Sequence, residues 1–265
     1  MNDDLSEDLA LLRAAAAEAG ALALSERAAG LRIDSKPGGS PVTSADLKVD
    51  ALLRDRLLSA RPDYGWLSEE TADAPERLTR RRIFVVDPID GTVAFMKNRP
   101  WWCVPIAVID GDRPVAAVIH APALNETFEA TLGGGARLNG QPIAASDIDS
   151  LDDASVLADA RILEGPQWAE PWPPMRFERR NAIAYRMALV ASGAFDATLA
   201  LTPKWDWDIA AGALVATEAG ALVTDHHGRP WAFNRADPRQ PSIVCAAAGV
   251  HPLIVQRTRS IPLAL

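Results

Sequence analysis

A short apolar run, Ile83-Phe84-Val85-Val86, ends abruptly in Asp87-Pro88-Ile89-Asp90-Gly91-Thr92. The run reads as a buried strand. Two carboxylates three residues apart are therefore delivered at a strand end, where the chain must turn. Pro88 fixes one backbone angle, and Gly91 permits the tight geometry that follows. Asp, Pro and Gly are ordinary turn residues, so this motif alone reads equally well as a polar turn. Other acids change the balance. Glu69 and Glu70 follow the apolar segment Tyr64 to Leu67, Asp46 lies in the first turn of a helix, and Asp208 opens an apolar helix after Trp205-Asp206-Trp207. Like charges brought together need a counter-ion, because repulsion and desolvation oppose them. A hard divalent cation such as Mg²⁺ suits carboxylate and carbonyl oxygens.

The whole chain narrows the setting. With 265 residues and 48% hydrophobic content it can build one large core or two fused subdomains. Its net charge is −8, and Arg80-Arg81-Arg82, the one basic triplet that stands out, reads as a solvated loop. General binding of nucleic-acid polymers is disfavoured. An acidic protein still binds a phosphate ester where metal ions invert the local field. Cys103 and Cys245 have no metal-type spacing and read as buried free thiols, which fits a reducing cytoplasm. Met1-Asn2-Asp3-Asp4 lacks a signal-peptide pattern, and no apolar run approaches the roughly 20 residues that span a bilayer. A cytoplasmic enzyme without a membrane partner is the expectation.

Periodicity gives the organisation. Leu5 to Ala29 reads as a helix, and Lys36 to Pro41 as a loop rich in breakers. Thr43 or Ser44 caps a second helix that ends near Ala60, before Arg61-Pro62. Val104 to Ile109 and Val115 to Ile119 read as a meander joined by a slightly long connection over 110–114. Glu126 to Thr131 and Ala136 to Leu138 form a further pair, followed by the turn Asn139-Gly140. Gly133-Gly134-Gly135 reads as a hairpin or bulge, since no Lys-Ser/Thr follows to make a phosphate loop. In the second half come a strand over Ala154 to Leu157, helices over Ile183 to Ser192 and Asp208 to Gly220, and a strand over Ala221 to Thr224. His226-His227 before Gly228 reads as a turn. Without regular βαβ spacing, an α+β arrangement of sheets covered by helices fits better than a doubly wound fold.

Each acid taken singly has an ordinary structural role. Asp46 suits a helix dipole, Glu69 and Glu70 a solvated loop, and Asp208 an N-cap or first-turn position. Jointly they all stand at element ends beside Gly, Pro, Ser or Thr, where ligands collect. Two metal ions about 3.5–4 Å apart can clamp the attacking water and the leaving oxygen of a phosphoryl transfer. Asp87, Asp90, Glu69 and Asp208 could supply the carboxylates and Thr92 the hydroxyl. Backbone N–H groups of Gly91 and Thr92, at a helix start, would suit a phosphate oxygen.

Pro41-Val42-Thr43-Ser44-Ala45-Asp46, Ser68-Glu69-Glu70, Asp87 to Thr92, Trp207-Asp208-Ile209-Ala210-Ala211-Gly212 and Glu218-Ala219-Gly220 together resemble the inositol monophosphatase superfamily of Mg²⁺-dependent, lithium-sensitive phosphomonoesterases. The resemblance implies a layered α/β/α/β/α sandwich, commonly a homodimer, and one compact catalytic unit. Its subdomain 1–149 would carry most ligands, and 150–265 would contribute Asp208. By position, Glu69, Asp87 and the Ile89 carbonyl would hold a first metal, and Asp87, Asp90 and Asp208 a second. Glu69 with Thr92 would activate water, and Asp46 would help a third, weaker site. Asp90, Gly91, Thr92 and Asp208 would also meet the substrate.

Within that superfamily, Ser68, the run Val93 to Lys97 and the strand Pro114 to Pro122 resemble the CysQ-type branch that hydrolyses 3′-phosphoadenosine 5′-phosphate. Val93, where that branch often has a basic residue, and Asn181-Ala182, where a Gly-Ser pair is often met, depart from it. Lys36, Lys97, Arg99, Arg186 and Lys204 are candidate cations for a second phosphate, and Trp205 and Trp207 could flank an adenine. Inositol 1-phosphate, another polyol phosphate or histidinol phosphate is the alternative substrate, with fructose 1,6-bisphosphate also open. A catalytically silent metal-binding regulator is the alternative of another class.

Overall fold

The computed structural model describes residues 2–36, 39–164 and 167–263. Pro37 and Gly38, two breakers of the expected loop, lie outside the described residues. Helix α1 (Asn2–Ala29) leads through a small hairpin, β1 (Ile33–Ser35) and β2 (Pro41–Thr43), into helix α2 (Ser44–Ala60). Strands β3 (Gly65–Ser68) and β4 (Arg82–Val86) run parallel. After the short helix α3 (Thr92–Met96) come β5 (Val104–Asp110), β6 (Arg113–Ala121), β7 (Glu126–Thr131), β8 (Ala136–Leu138) and β9 (Gln141–Pro142). These seven strands, β3 to β9, lie in one sheet in chain order.

The second half supplies β10 (Ser155–Leu157), β11 (Arg176–Glu178), helix α4 (Ile183–Ala191), β12 (Ala197–Ala200), β13 (Lys204–Trp205), helix α5 (Asp206–Glu218), β14 (Leu222–Thr224), β15 (Arg239–Gln240), β16 (Ile243–Ala246) and helix α6 (His251–Thr258). A second sheet has the order β11-β10-β12-β16-β14, and β13 pairs with β15 as a separate ribbon. Neither half follows a doubly wound path, as expected.

Three apolar interfaces produce five layers. Phe84, Val86, Ile106, Val108 and Val118 face Leu12, Ala16, Leu53 and Leu57 of α1 and α2. Alternate residues of the same strands, Ile83, Val85, Ala107, Ile109 and Ile119, face α4 and α5, which also cover Leu157, Ile243 and Cys245 of the second sheet. Val156, Leu199, Val244 and Ala246 then pack on Ile254 of α6. Because the large sheet is buried on both faces, its strands read as continuous apolar runs rather than alternating ones. Helix α1 lies close over β6 through small residues. A Cβ on Gly20 would stand 2.7 Å from the ring of His120, so that position admits only glycine without a shift.

Some details differ from the sequence reading. The β5–β6 connection is tight: Asp110 pairs with Arg113, and Pro114 sits within β6 beside a register shift, which a strand proline needs. Arg82 is not a solvated residue. Its guanidinium binds Asp110 at 3.0 Å and Tyr64 Oη at 2.9 Å, next to buried Asp8. Helix α5 begins two residues before Asp208. Gly133 and Gly135 form a turn whose N–H groups donate to the Glu218 carboxylate at 2.8 and 2.9 Å. Both cysteines are free and buried.

Candidate metal centre

The parallel pairing of β3 and β4 places Ser68 beside Val86. The next residue of each strand is Glu69 and Asp87, so the two acids emerge side by side at the same sheet edge. The Glu69 N–H donates to the Val86 carbonyl at 3.3 Å and holds this register past the strand ends. Asp208, in the first turn of α5, reaches the same point from the middle layer. One carboxylate oxygen from each of Glu69, Asp87 and Asp208 lies within 4.8 Å of the other two. Asp87 is buried, and the other two are partly exposed. Asp87 Oδ1 accepts the Ile89 N–H at 2.9 Å, and Asp208 Oδ2 accepts the Trp205 N–H at 2.9 Å, which fixes both carboxylates.

Asp90 stands next to this triad with a second duty. Its oxygens accept the N–H groups of Ile183 at 3.1 Å and Ala184 at 2.6 Å, the first donors of α4, and the Cys103 thiol donates to it at 3.7 Å. A two-way backbone bridge to Cys103, at 2.9 and 3.1 Å, anchors the residue itself. Ala182 at the N-cap has no side-chain bond to offer, so Asp90 caps this helix from another layer. Gly91 follows with φ 93°, and a Cβ there would meet Ala182 at 3.0 Å. Only glycine makes this turn without strain.

A second arrangement joins Asp46 to Thr92. Asp46 Oδ2 accepts both the N–H and the hydroxyl of Thr43, at 2.8 and 2.6 Å, as part of the capping box of α2. The Thr92 hydroxyl lies 3.3 Å from Asp46 Oδ1 and 3.2 Å from the Ile89 carbonyl, and its single proton serves one of them at a time.

Crowded carboxyls resist ionisation. Burial, reinforced by Glu69, Asp90 and Asp208, holds Asp87 well above the usual carboxylate range. Burial raises Asp90 to about 7 against the pull of the α4 amides. Burial, with the charge of Asp90, raises Asp208 to about 8. Burial also lifts Glu70 to about 7 and Asp46 above its ordinary value. Lys36 answers part of this charge: its Nζ is 2.7 Å from both Glu69 Oε1 and Glu70 Oε1. Burial works against its ammonium, yet the two glutamates outweigh that and hold it above its ordinary value. An all-oxygen donor set of this charge fits a hard divalent ion such as Mg²⁺.

The other candidate cations separate. Arg186 is directed inward, to Thr198 Oγ1 at 2.9 Å and to the carbonyls of Leu157 and Leu199 at 2.5 and 2.8 Å, and holds α4 to the second sheet. Lys97 and Arg99 are exposed beyond α3, with Arg99 over Trp101. Lys204 is partly buried and feels the charges of Asp208 and Asp90. Trp205 and Trp207 stack on each other, ring centroids 4.7 Å apart and planes 8° apart, so each already covers one face of the other. His226 and His227 lie in a turn closed by the Gly228 N–H on Asp225.

The sequence reading missed Asp50. From the buried side of α2 it accepts the Ser68 hydroxyl on Oδ1 and the Thr71 hydroxyl on Oδ2 at 2.6 Å. It thus clamps the chain on both sides of Glu69 and Glu70. Its spacing on the apolar face of α2 was the available signal, since an acid there needs a partner. Asp206 was missed too. It is fully buried, accepts Gln240 at 3.0 Å and Asn234 at 2.9 Å, and fixes the start of α5.

A five-layer α/β sandwich with carboxylates converging at its strand ends has the architecture of the sugar phosphatases. The chain belongs to the inositol monophosphatase family, whose sequence model matches residues 4–263. It is 33% identical over 198 residues to the Nus factor SuhB of Escherichia coli, covering 71% of this chain and 72% of that protein. To the inositol-1-monophosphatase of Rhizobium meliloti it is 30% identical over 211 residues, 75% and 77% of the two chains. The crystal structure of the extragenic suppressor protein SuhB from Bartonella henselae superposes with a TM-score of 0.81 at 25% identity, covering 96% of this chain and 99% of that one. None of these three bears the name of a bisphosphate nucleotidase.

Two outcomes are expected. Asp90 and Asp208 have ordinary values of 3.8 but sit at about 7 and about 8 in the fold. Below about pH 4 both are protonated in either state; as pH rises toward about 8, the unfolded chain sheds protons that the folded chain keeps, and metal-free protein loses stability. Mg²⁺ binding opposes that loss, so its increment in Tm over EDTA-treated protein will be larger near pH 8.5 than near pH 5.5; an equal increment contradicts the crowding described. Asp50→Ala will weaken Mg²⁺ binding measured by calorimetry by roughly tenfold or more, the usual effect of removing a group that orients a ligand. Unchanged affinity would show that Glu69 is held without the clamp.

Proposed function

We propose that the chain is a Mg²⁺-dependent phosphomonoesterase acting on a small polyol phosphate of the inositol 1-phosphate type. The observation that carries this reading is the convergence of Glu69, Asp87 and Asp208 on one point, with Asp90 and the Asp46–Thr92 pair alongside. Glu69, Asp87 and the Ile89 carbonyl would hold one ion, Asp87, Asp90 and Asp208 a second, and Asp46 would aid a third. Bound there, Mg²⁺ supplies Lewis acidity and makes water a usable nucleophile at neutral pH. Thr92 orients the attacking water, and Glu69 helps take its proton. Asp46 accepts from the Thr92 hydroxyl and so would hold it in place. Gly91 and Thr92 offer backbone N–H groups to phosphate oxygens, and Asp90 and Asp208 face the leaving group.

The choice of substrate follows the relatives and the surroundings of the acids. The R. meliloti relative is an inositol-1-monophosphatase. The nucleotide reading loses two of its expected contacts: Arg186 is spent inside the fold, and the Trp205–Trp207 stack leaves no slot between its rings for adenine. Hydrolysis of 3′-phosphoadenosine 5′-phosphate therefore ranks second. Inhibition by millimolar lithium, a homodimeric state and a cytoplasmic setting belong to the same proposal. The Nus-factor name of the E. coli relative keeps a regulatory role, without catalysis, as the reading of another class.

The test is kcat/KM with Mg²⁺ for inositol 1-phosphate and for 3′-phosphoadenosine 5′-phosphate, in wild type and Asp90→Asn. Inositol 1-phosphate should win by about tenfold or more, roughly 1.4 kcal/mol of transition-state discrimination, and Asp90→Asn should lose at least about a thousandfold. A clear preference for the nucleotide reverses the substrate order. Absence of phosphate release from every monoester leaves the regulatory reading.

A further inference from the structure

The ribbon that leads into α5 has a second face. Lys204 and Trp205 of β13 pair with Gln240 and Arg239 of β15. Behind this ribbon lies a cavity of about 470 Å³, walled by Arg229, Arg235 and Arg239, by Asp225 and Asp237, and by Trp231, with prolines completing the apolar side. None of these residues belongs to the acid cluster.

The charges of this wall do not cancel. Arg229 is matched by Asp225 at 2.8 Å and Arg239 by Asp237 at 2.9 Å. Arg235 is exposed, and among the described residues no carboxylate forms an ion pair with it. One of its nitrogens donates to the Arg239 carbonyl and lies 3.5 Å from Gln240 Oε1, which aims the guanidinium and leaves further donors unused. Asp237 and Asp206 feel the Arg235 charge, yet neither closes an ion pair on it, and the wall's three arginines outnumber its two aspartates. Trp231 adds a flat apolar surface, and its buried indole N–H has no acceptor among the described residues.

The cavity is also tied to the acid cluster. Gln240 donates to Asp206 at 3.0 Å, two residues from Asp208. The Arg239 guanidinium lies 5.6 Å from the ring centroid of Trp205, whose N–H holds Asp208. We propose that this cavity is a second ligand site, for a phosphorylated small molecule with a flat ring, its anion on Arg235 and its ring against Trp231. A planar guanidinium fork suits phosphate, and an aromatic wall suits a ring of the nucleobase type. Such a ligand is either a separate effector or the far end of a molecule that also reaches the acids. A separate effector leaves the proposed polyol ester untouched, whereas a ligand that spans cavity and acids would return the substrate to the nucleotide class.

Calorimetry on the full chain with Mg²⁺ tests it, with adenosine 5′-monophosphate as the probe. Wild type should bind, Arg235→Ala should weaken binding by about tenfold or more, and Arg235→Lys should recover part of the loss. Asp208→Asn separates the two sources. Unchanged affinity assigns a separate effector site, and a loss matching that of Arg235→Ala assigns one ligand spanning cavity and acids. The proposal is overturned if the probe fails to bind at about 10 mM, or if Arg235→Ala binds as wild type does, whether or not Asp208→Asn weakens it. Since binding is read without turnover, an inactive protein would leave this test intact.

Discussion

Like charge packed at the end of a buried sheet is the constraint on which the site depends. Water cannot fully solvate Asp87, and Glu69, Asp90 and Asp208 crowd it further. Without a cation the arrangement is held by protons and by Lys36. The fold can afford this only because its surroundings are rigid. Parallel strands β3 and β4 fix two acids, the first turn of α5 fixes a third, and backbone amides hold the carboxylates in orientation. An all-oxygen pocket prepared in this way gains most from a small, hard, doubly charged ion.

Asp90 shows how the two halves of the chain are made one unit. It follows the large sheet, bridges to Cys103 at the start of β5, and caps α4 of the middle layer. The cap satisfies helix donors that Ala182 cannot, so a residue suited to chemistry also carries structural load. Arg186, the fourth residue of the same helix, then ties α4 to the second sheet. A change at Asp90 is felt both at the acids and across the middle layer.

The legible parts of this protein were local. Apolar runs gave the strands of the large sheet, capping chemistry gave α2, and the Asp-Pro-Ile-Asp-Gly-Thr turn gave the centre of the site. Glu69, Asp87 and Asp208 were named from their positions at element ends, and the fold brings them together. What stayed hidden was set by contacts distant in sequence. Asp50 looks like any helix acid until Ser68 and Thr71 are folded against it, 18 and 21 residues away. Strands β12 and β16 are short and escaped notice, because four apolar residues look alike in a strand and in a buried helix. Trp205 and Trp207 invited a ligand between them, whereas the ribbon lets them satisfy each other. Arg186 sat near a motif in sequence, but its helix turns it inward.

Diffraction from crystals grown with Mn²⁺, recorded at the manganese absorption edge, tests the central claim most directly. Anomalous density should appear at coordination distance, about 2 Å, from oxygens of Glu69, Asp87 and Asp208, with Lys36 withdrawn from Glu69. A saturated crystal with no anomalous density there, and with Lys36 still on both glutamates, would show that the acids are a structural ion-pair cluster and would remove the basis for a metal-dependent enzyme.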